Sequence, residues 1–223
     1  EIKGFQDYAN TVAIRRLGYN DHGPVHMRKV VIHALKMARL LHEAGVPLSL
    51  EAEEAGTYED SVLSLLLAGF MHDIGMAVTR ENHENYSAEL AAPMVRKYAE
   101  IAYPDDPARQ VVIRSLVAEC IVGHMATVRV HSLEAGLILI ADGCDMEKGR
   151  ARIPMLISRA AKVGDIHKYS SAAVERIEIG PGDDRPICIT IRMSERAGYF
   201  QIEEDLFPKL NASTARNHVQ LVA

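Results

Sequence analysis

Ten consecutive residues, Val62 to Met71, are almost wholly apolar and run directly into His72-Asp73-Ile74-Gly75. A run apolar on every face folds as a helix buried on nearly every side, so it sets a central element around which the rest must pack. It also carries a polar pair into the interior. A carboxylate there is costly unless a cation or several hydrogen-bond donors meet it. This run and the second apolar run, 133–141, are both far short of the roughly 18–20 residues that span a bilayer. Glu1 to Asn10 lacks the basic-then-apolar order of a secretion signal, so the expectation is a cytoplasmic protein with no membrane partner.

Around that helix the apolar spacing predicts a mostly α chain. Residues 5–17 read as an opening helix ended by Gly18. Asp21-His22-Gly23-Pro24 is a helix start with proline pre-set for the first turn, and Val25 to Glu43 is amphipathic up to Gly45. Residues 46–58 read as an acidic loop, with the central helix starting near Asp60-Ser61. Residues 76–86 read as a polar connection holding His83, followed by a helix from Ser87 to Tyr98 that Pro93 kinks. Asp106 caps a helix that Pro107 begins and Gly123-His124 ends, and Ser132 caps another from Leu133 to about Lys148, with Asp142 in its middle. A short helix to about Val163 follows. After Ser170 the pattern alternates, with Val174–Ile179 and Ile187–Met193 flanking a Gly-Pro-Gly-Asp-Asp turn as a β-hairpin. Phe200 to Leu210 returns to helix, and His218 to Val222 adds a strand. The expected division is a helical domain over 1–169 and a small α+β appendage over 170–223. An isolated hairpin is marginal in water and needs a surface to pack on, which makes the appendage the expected contact of a homodimer.

Ten histidines in a chain without tryptophan raise the prior for metal chemistry. Cys120, Cys144 and Cys188 are unpaired in spacing and read as thiols of a reduced compartment. A net charge of -5 and a pI near 6.1 give no footprint for bulk RNA or DNA binding, so an RNA partner has no support in the charge. Adjacent helical residues point about 100° apart, so His72 and Asp73 converge on one ligand only if the helix opens at its end, as Gly75 would allow. His26 at one helix start and Asp142 on a third helix would then close an N/O shell for a divalent ion. His83 and His124 would complete a second if Asp73 bridges.

Plainer readings stand beside these. His72-Asp73 would suit a helix-capping pair, Asp142 a hydrogen-bonded core aspartate, and His83 a surface loop. His26 would suit a solvated helix start, where nearby His22 competes for its role. His33 shares the face of His26 but lies about 10 Å along the axis, too far for one ion, and reads as packing or support. His42, His131, His167 and His218 have no pattern behind them and read as surface.

The order His26, His72-Asp73, His83, His124, Asp142, with Met71 to Gly75 ending an apolar helix, resembles the HD-domain metal-dependent phosphohydrolase superfamily over roughly residues 20–155. The stretch His83 to Ala91, and Ala141-Asp142-Gly143 with Arg150 and Arg152, are most similar to the ribonuclease Y-type HD domain and archaeal HD hydrolases. The resemblance implies an HD helical bundle in which His26, His72, Asp73 and Asp142 hold one metal, while Asp73, His83 and His124 hold a second. It implies one or two divalent ions among Mn, Fe, Mg, Ni, Co and Zn. It further implies hydrolysis of a phosphomonoester or phosphodiester, with a small nucleotide-type substrate, by attack of metal-activated water. Asp73 and His72 would be catalytic, and Arg150 and Arg152 would bind the phosphate through guanidinium forks that match its oxygens. Two departures stand out. Met76 replaces a frequent lysine, removing a candidate phosphate contact, and Gly123-His124-Met125 stands where many dinuclear members have paired histidines. They leave room for an alternative, a non-catalytic nucleotide-sensing or regulatory HD module.

Overall fold

A computed structural model describes residues 1–148, 170 and 173–223. The expected helix up to Val163, Arg150, Arg152, His167 and the expected boundary after residue 169 lie outside the described residues.

The apolar run forms α4 (Tyr58–Met71), packed by α2 (Pro24–Glu43), α6 (Pro107–Gly123) and α7 (Leu133–Gly143). It starts ahead of the expected Asp60-Ser61. Thr57 is the cap, and Asp60 reaches back to accept from its N–H at 2.7 Å, a reciprocal capping pair. The acidic stretch expected as loop contains a short helix, α3 (Ser49–Ala52), because buried Glu134 accepts from Ser49 N and Leu50 N, both at 3.3 Å. The opening helix α1 (Ile2–Thr11) continues through a π-helical turn, Val12–Arg16, and Gly18 (φ 72°) follows it. Asp106 and Ser132 cap α6 and α7 as expected, accepting from Arg109 N at 3.0 Å and Ala135 N at 3.1 Å.

Two expected boundaries are corrected. α5 (His83–Ala102) begins at His83, so that residue opens a helix instead of sitting in a polar loop. α7 ends at Gly143, well before Lys148, because the chain turns there, with Asp145 N donating to the Asp142 carbonyl. Asp142 therefore sits at the end of α7.

The hairpin forms as expected. β1 (Val174–Gly180) pairs antiparallel with β2 (Ile187–Met193), Ile179 opposite Ile189, and β3 (Val219–Val222) joins β2 in parallel. Between β2 and β3 runs a helical stretch, Tyr199–Gln201, Ile202–Leu206 and Phe207–Ala212, together called α8 here, which lies against α7. Val174, Ile187, Ile189 and Leu206 belong to the same buried cluster as Met27, Leu65 and Leu137, so the sheet finds its packing surface on α2 within its own chain. The cysteines carry free thiols, and burial pushes those of Cys120 and Cys144 well up. No helix among the described residues is long and apolar enough to cross a membrane.

Candidate metal centre

The helix opens at Asp73. His72 is still helical (φ -59°, ψ -32°), while Asp73 turns to φ -107°, ψ 3° and starts a 3-10 turn, Ile74–Ala77. That turn brings Asp73 Oδ2 to 3.4 Å from His72 Nε2. Gly75 serves a different purpose from the one expected. A Cβ there would stand 2.1 Å from the His83 carbonyl oxygen and 2.6 Å from Ser87 N, so only glycine lets the start of α5 approach this closely. Gly75 N donates to Ser87 Oγ at 2.8 Å, and the contact holds His83 against the centre.

Six side chains from five stretches of chain meet there. On one side, His26 Nε2 lies 3.1 Å from His72 Nε2, 3.1 Å from Asp73 Oδ2 and 3.2 Å from Asp142 Oδ1. On the other, Asp73 Oδ1 lies 3.0 Å from His83 Nε2 and 3.3 Å from His124 Nε2, and the two rings approach to 3.1 Å through Nε2. Asp73 thus offers one oxygen to each group. All six residues are buried.

The outer nitrogens fix the tautomers. His26 Nδ1 meets Asp145 Oδ2 at 2.7 Å, His72 Nδ1 the Gly69 carbonyl at 2.9 Å, and His124 Nδ1 the Ile121 carbonyl at 2.7 Å. These partners only accept, so in its neutral form each ring carries the proton on Nδ1 and turns the Nε2 lone pair inward. His83 Nδ1 meets both the carbonyl and the guanidinium Nη1 of Arg80 at 2.9 Å, and one tautomer satisfies only one of them. Inward lone pairs about 3 Å apart repel unless a proton or a cation lies between them. This is the donor set, outer support included, that a divalent ion requires, and the residues fit the group.

The electrostatics draw positive charge into the same space. Burial opposes ionisation of Asp73, yet positive charge on the imidazoles around it, His72 foremost, holds its carboxyl well below the usual range, a part that a bound cation would take over. Asp142 behaves alike, with burial outweighed by Lys209 and then His26. Burial pushes His124 down to about 4. His83 is raised, since its bond to Asp73 overcomes burial.

The structure brings together His26, His72, Asp73, His83, His124 and Asp142, each an expected ligand. His22 is buried beside His26, ring centroids 5.8 Å apart, and His33 has a buried Nδ1 with no hydrogen-bond partner among the described residues. Met76 is fully buried against Ala9 and Ala13 of the opening helix region. Sequence reasoning missed three residues. Asp145 supports His26 from the turn that follows α7, a contact between elements far apart in the chain that local spacing does not reveal. Lys29, one turn beyond His26, holds Asp145 at 3.0 Å and Glu147 at 2.9 Å. Lys209 contacts Asp142 from α8, with no local signal at all.

Residues 26–147 match the HD domain family. Over its whole length the chain is 39% identical to the uncharacterized protein MJ1020 of Methanocaldococcus jannaschii, spanning 84% of that protein. It is 28% identical over 105 residues to ribonuclease Y of Opitutus terrae, which is 47% of this chain and 17% of that protein. No solved structure matches it.

Proposed function

Because the chain belongs to the HD domain family, we propose that its buried centre is that of a metal-dependent phosphohydrolase, acting on a phosphomonoester or phosphodiester of nucleotide type. The observation that carries this reading is the convergence of four imidazole Nε2 atoms on both oxygens of Asp73, three of the rings with their Nδ1 protons already committed outward. His26, His72, Asp73 and Asp142 would hold one ion, and Asp73, His83 and His124 a second. A divalent ion bound there supplies Lewis acidity toward a phosphoryl oxygen and acidifies water. The chain's own part is to hold that charge in a site shielded from bulk water, where electrostatic interactions are strong. Asp73 sets the spacing of the two groups with its two oxygens, and His72 is kept in register by the Gly69 carbonyl. Arg150 and Arg152 are the proposed phosphate contacts.

Elemental analysis of the purified protein is expected to find manganese, iron, magnesium, nickel, cobalt or zinc. Asp73→Ala and His72→Ala should lose the metal and lower hydrolysis in a phosphatase and phosphodiesterase screen by roughly 10³-fold or more. Metal-free protein, together with unchanged hydrolysis in both variants, would refute the reading. A second reading, nucleotide sensing without turnover, draws on the burial of Met76 where a phosphate-binding lysine was expected. Thermal stabilisation by a nucleotide, with no turnover across those metals, would favour it.

A further inference from the structure

Among the described residues, Lys209 is the side chain by which the C-terminal stretch touches a proposed ligand. Lys209 of α8 contacts Asp142 Oδ2, while Asp142 Oδ1 faces His26 at 3.2 Å and His72 at 3.9 Å. Gly143 makes room for it: a Cβ there would press within 3.2 Å of Leu206 Cδ1 and 3.3 Å of Lys209 Cδ. The lysine side chain is only 16% exposed. An ammonium group has three donors, and among the described residues Asp142 is the single acceptor for this one. A mostly buried cation with donors to spare, touching a proposed ligand through the carboxylate oxygen other than the one paired with His26, is placed to receive a second anion. Among the described lysines and arginines only Arg80 also touches a proposed ligand, and it does so at the outer nitrogen of His83.

Building on the phosphohydrolase reading, we propose that Lys209 binds a phosphoryl oxygen of the substrate, filling from the C-terminal stretch the role that Met76 leaves vacant. The competing role is purely structural: a cation at the end of α7 favours the helix dipole and neutralises Asp142. The two roles differ in what a phosphate ion feels.

The test uses the full chain, with Lys209→Met, Lys209→Gln and Lys209→Arg. Thermal midpoints are followed against inorganic phosphate at fixed manganese, and again in EDTA. In the wild type phosphate should stabilise the manganese-loaded protein and not the EDTA-treated one. Lys209→Met should keep the manganese-dependent shift but weaken apparent phosphate affinity about tenfold or more, while Lys209→Arg keeps most of it. Lys209→Gln gives the same readout if Lys209→Met does not fold. An unchanged phosphate affinity in the Met or Gln variant would overturn the proposal, as would a wild type indifferent to phosphate when loaded. Loss of the manganese shift in Lys209→Met would assign the lysine to holding Asp142 and overturn it too. A wild type with no manganese shift would instead fail the phosphohydrolase reading itself.

Discussion

The chain buries carboxylates in two ways. Glu134 accepts from Ser49 N and Leu50 N at 3.3 Å and from Ser61 Oγ at 2.7 Å, and Asp60 accepts from Thr57 N, the Tyr103 hydroxyl and the Arg109 guanidinium. Every one of those contacts brings its own hydrogen, so the two sites are complete as the chain folds. Asp73 and the Oδ1 of Asp142 instead face imidazoles whose Nδ1 atoms, at His26, His72 and His124, point away to Asp145, Gly69 and Ile121, while Lys209 takes up the other oxygen of Asp142. A buried acid alone therefore does not mark a metal centre. The direction of the hydrogens around it does.

The comparison breaks most visibly at Glu134. Glu134→Ala leaves two backbone donors and a hydroxyl unpaired in the interior and should cost about 4 kcal/mol of stability in urea denaturation. The loss should be the same with divalent metal present or removed. A loss that shrinks when metal is added would mean that Glu134 communicates with the centre, and the two kinds of burial would no longer be separate.

What was legible in the sequence follows the range of the interactions. The central helix, the caps at Asp106 and Ser132 and the hairpin are written in neighbours a few residues apart, and they form as expected. α3 was missed because its first N–H groups are satisfied by Glu134, more than eighty residues away in sequence. The start of α5 was missed because His83 is held by Gly75, a contact that local polarity conceals. That the six expected side chains share one centre was legible through their order along the chain. Asp145 and Lys209 were not, since each acts through a partner on a distant element: Asp145 on His26 and Lys209 on Asp142.

A somewhat smaller effect is expected in the pH dependence of the metal-free protein. Burial holds His124 near 4 in the fold, against about 6.5 when unfolded. Between those values the unfolded chain binds a proton that the folded one refuses, so stability should fall as pH drops from 6.5 toward 4, by about 3 kcal/mol in all. His83 has the opposite sign. Its raised value gives stability that is full below about 6.5 and is lost as pH rises through the folded value. Urea denaturation in EDTA from pH 4 to 7 should therefore show a shallower acid limb for His124→Gln than for the wild type. Identical slopes would mean that His124 is not held neutral in the fold, and the contrast with the self-sufficient carboxylates would lose one of its members.

The smallest effect, and the most specific, is expected at Asp145. Its Oδ2 takes the Nδ1 proton of His26 at 2.7 Å while Oδ1 is held by Lys29 at 3.0 Å. The carboxylate thus fixes the ring and makes the inward Nε2 a better electron donor, a role with no counterpart at Asp60 or Glu134. Asp145→Asn keeps an oxygen that can accept the same proton but removes the charge, so the ring stays placed and its basicity falls. Metal affinity, measured by competition with a chelator, should drop about tenfold in Asp145→Asn and further in Asp145→Ala, where the placement is lost as well. Affinity unchanged in both variants would show that His26 does not ligate the ion, and the pairing of His26 with His72 across 3.1 Å would then need a shared proton to explain it.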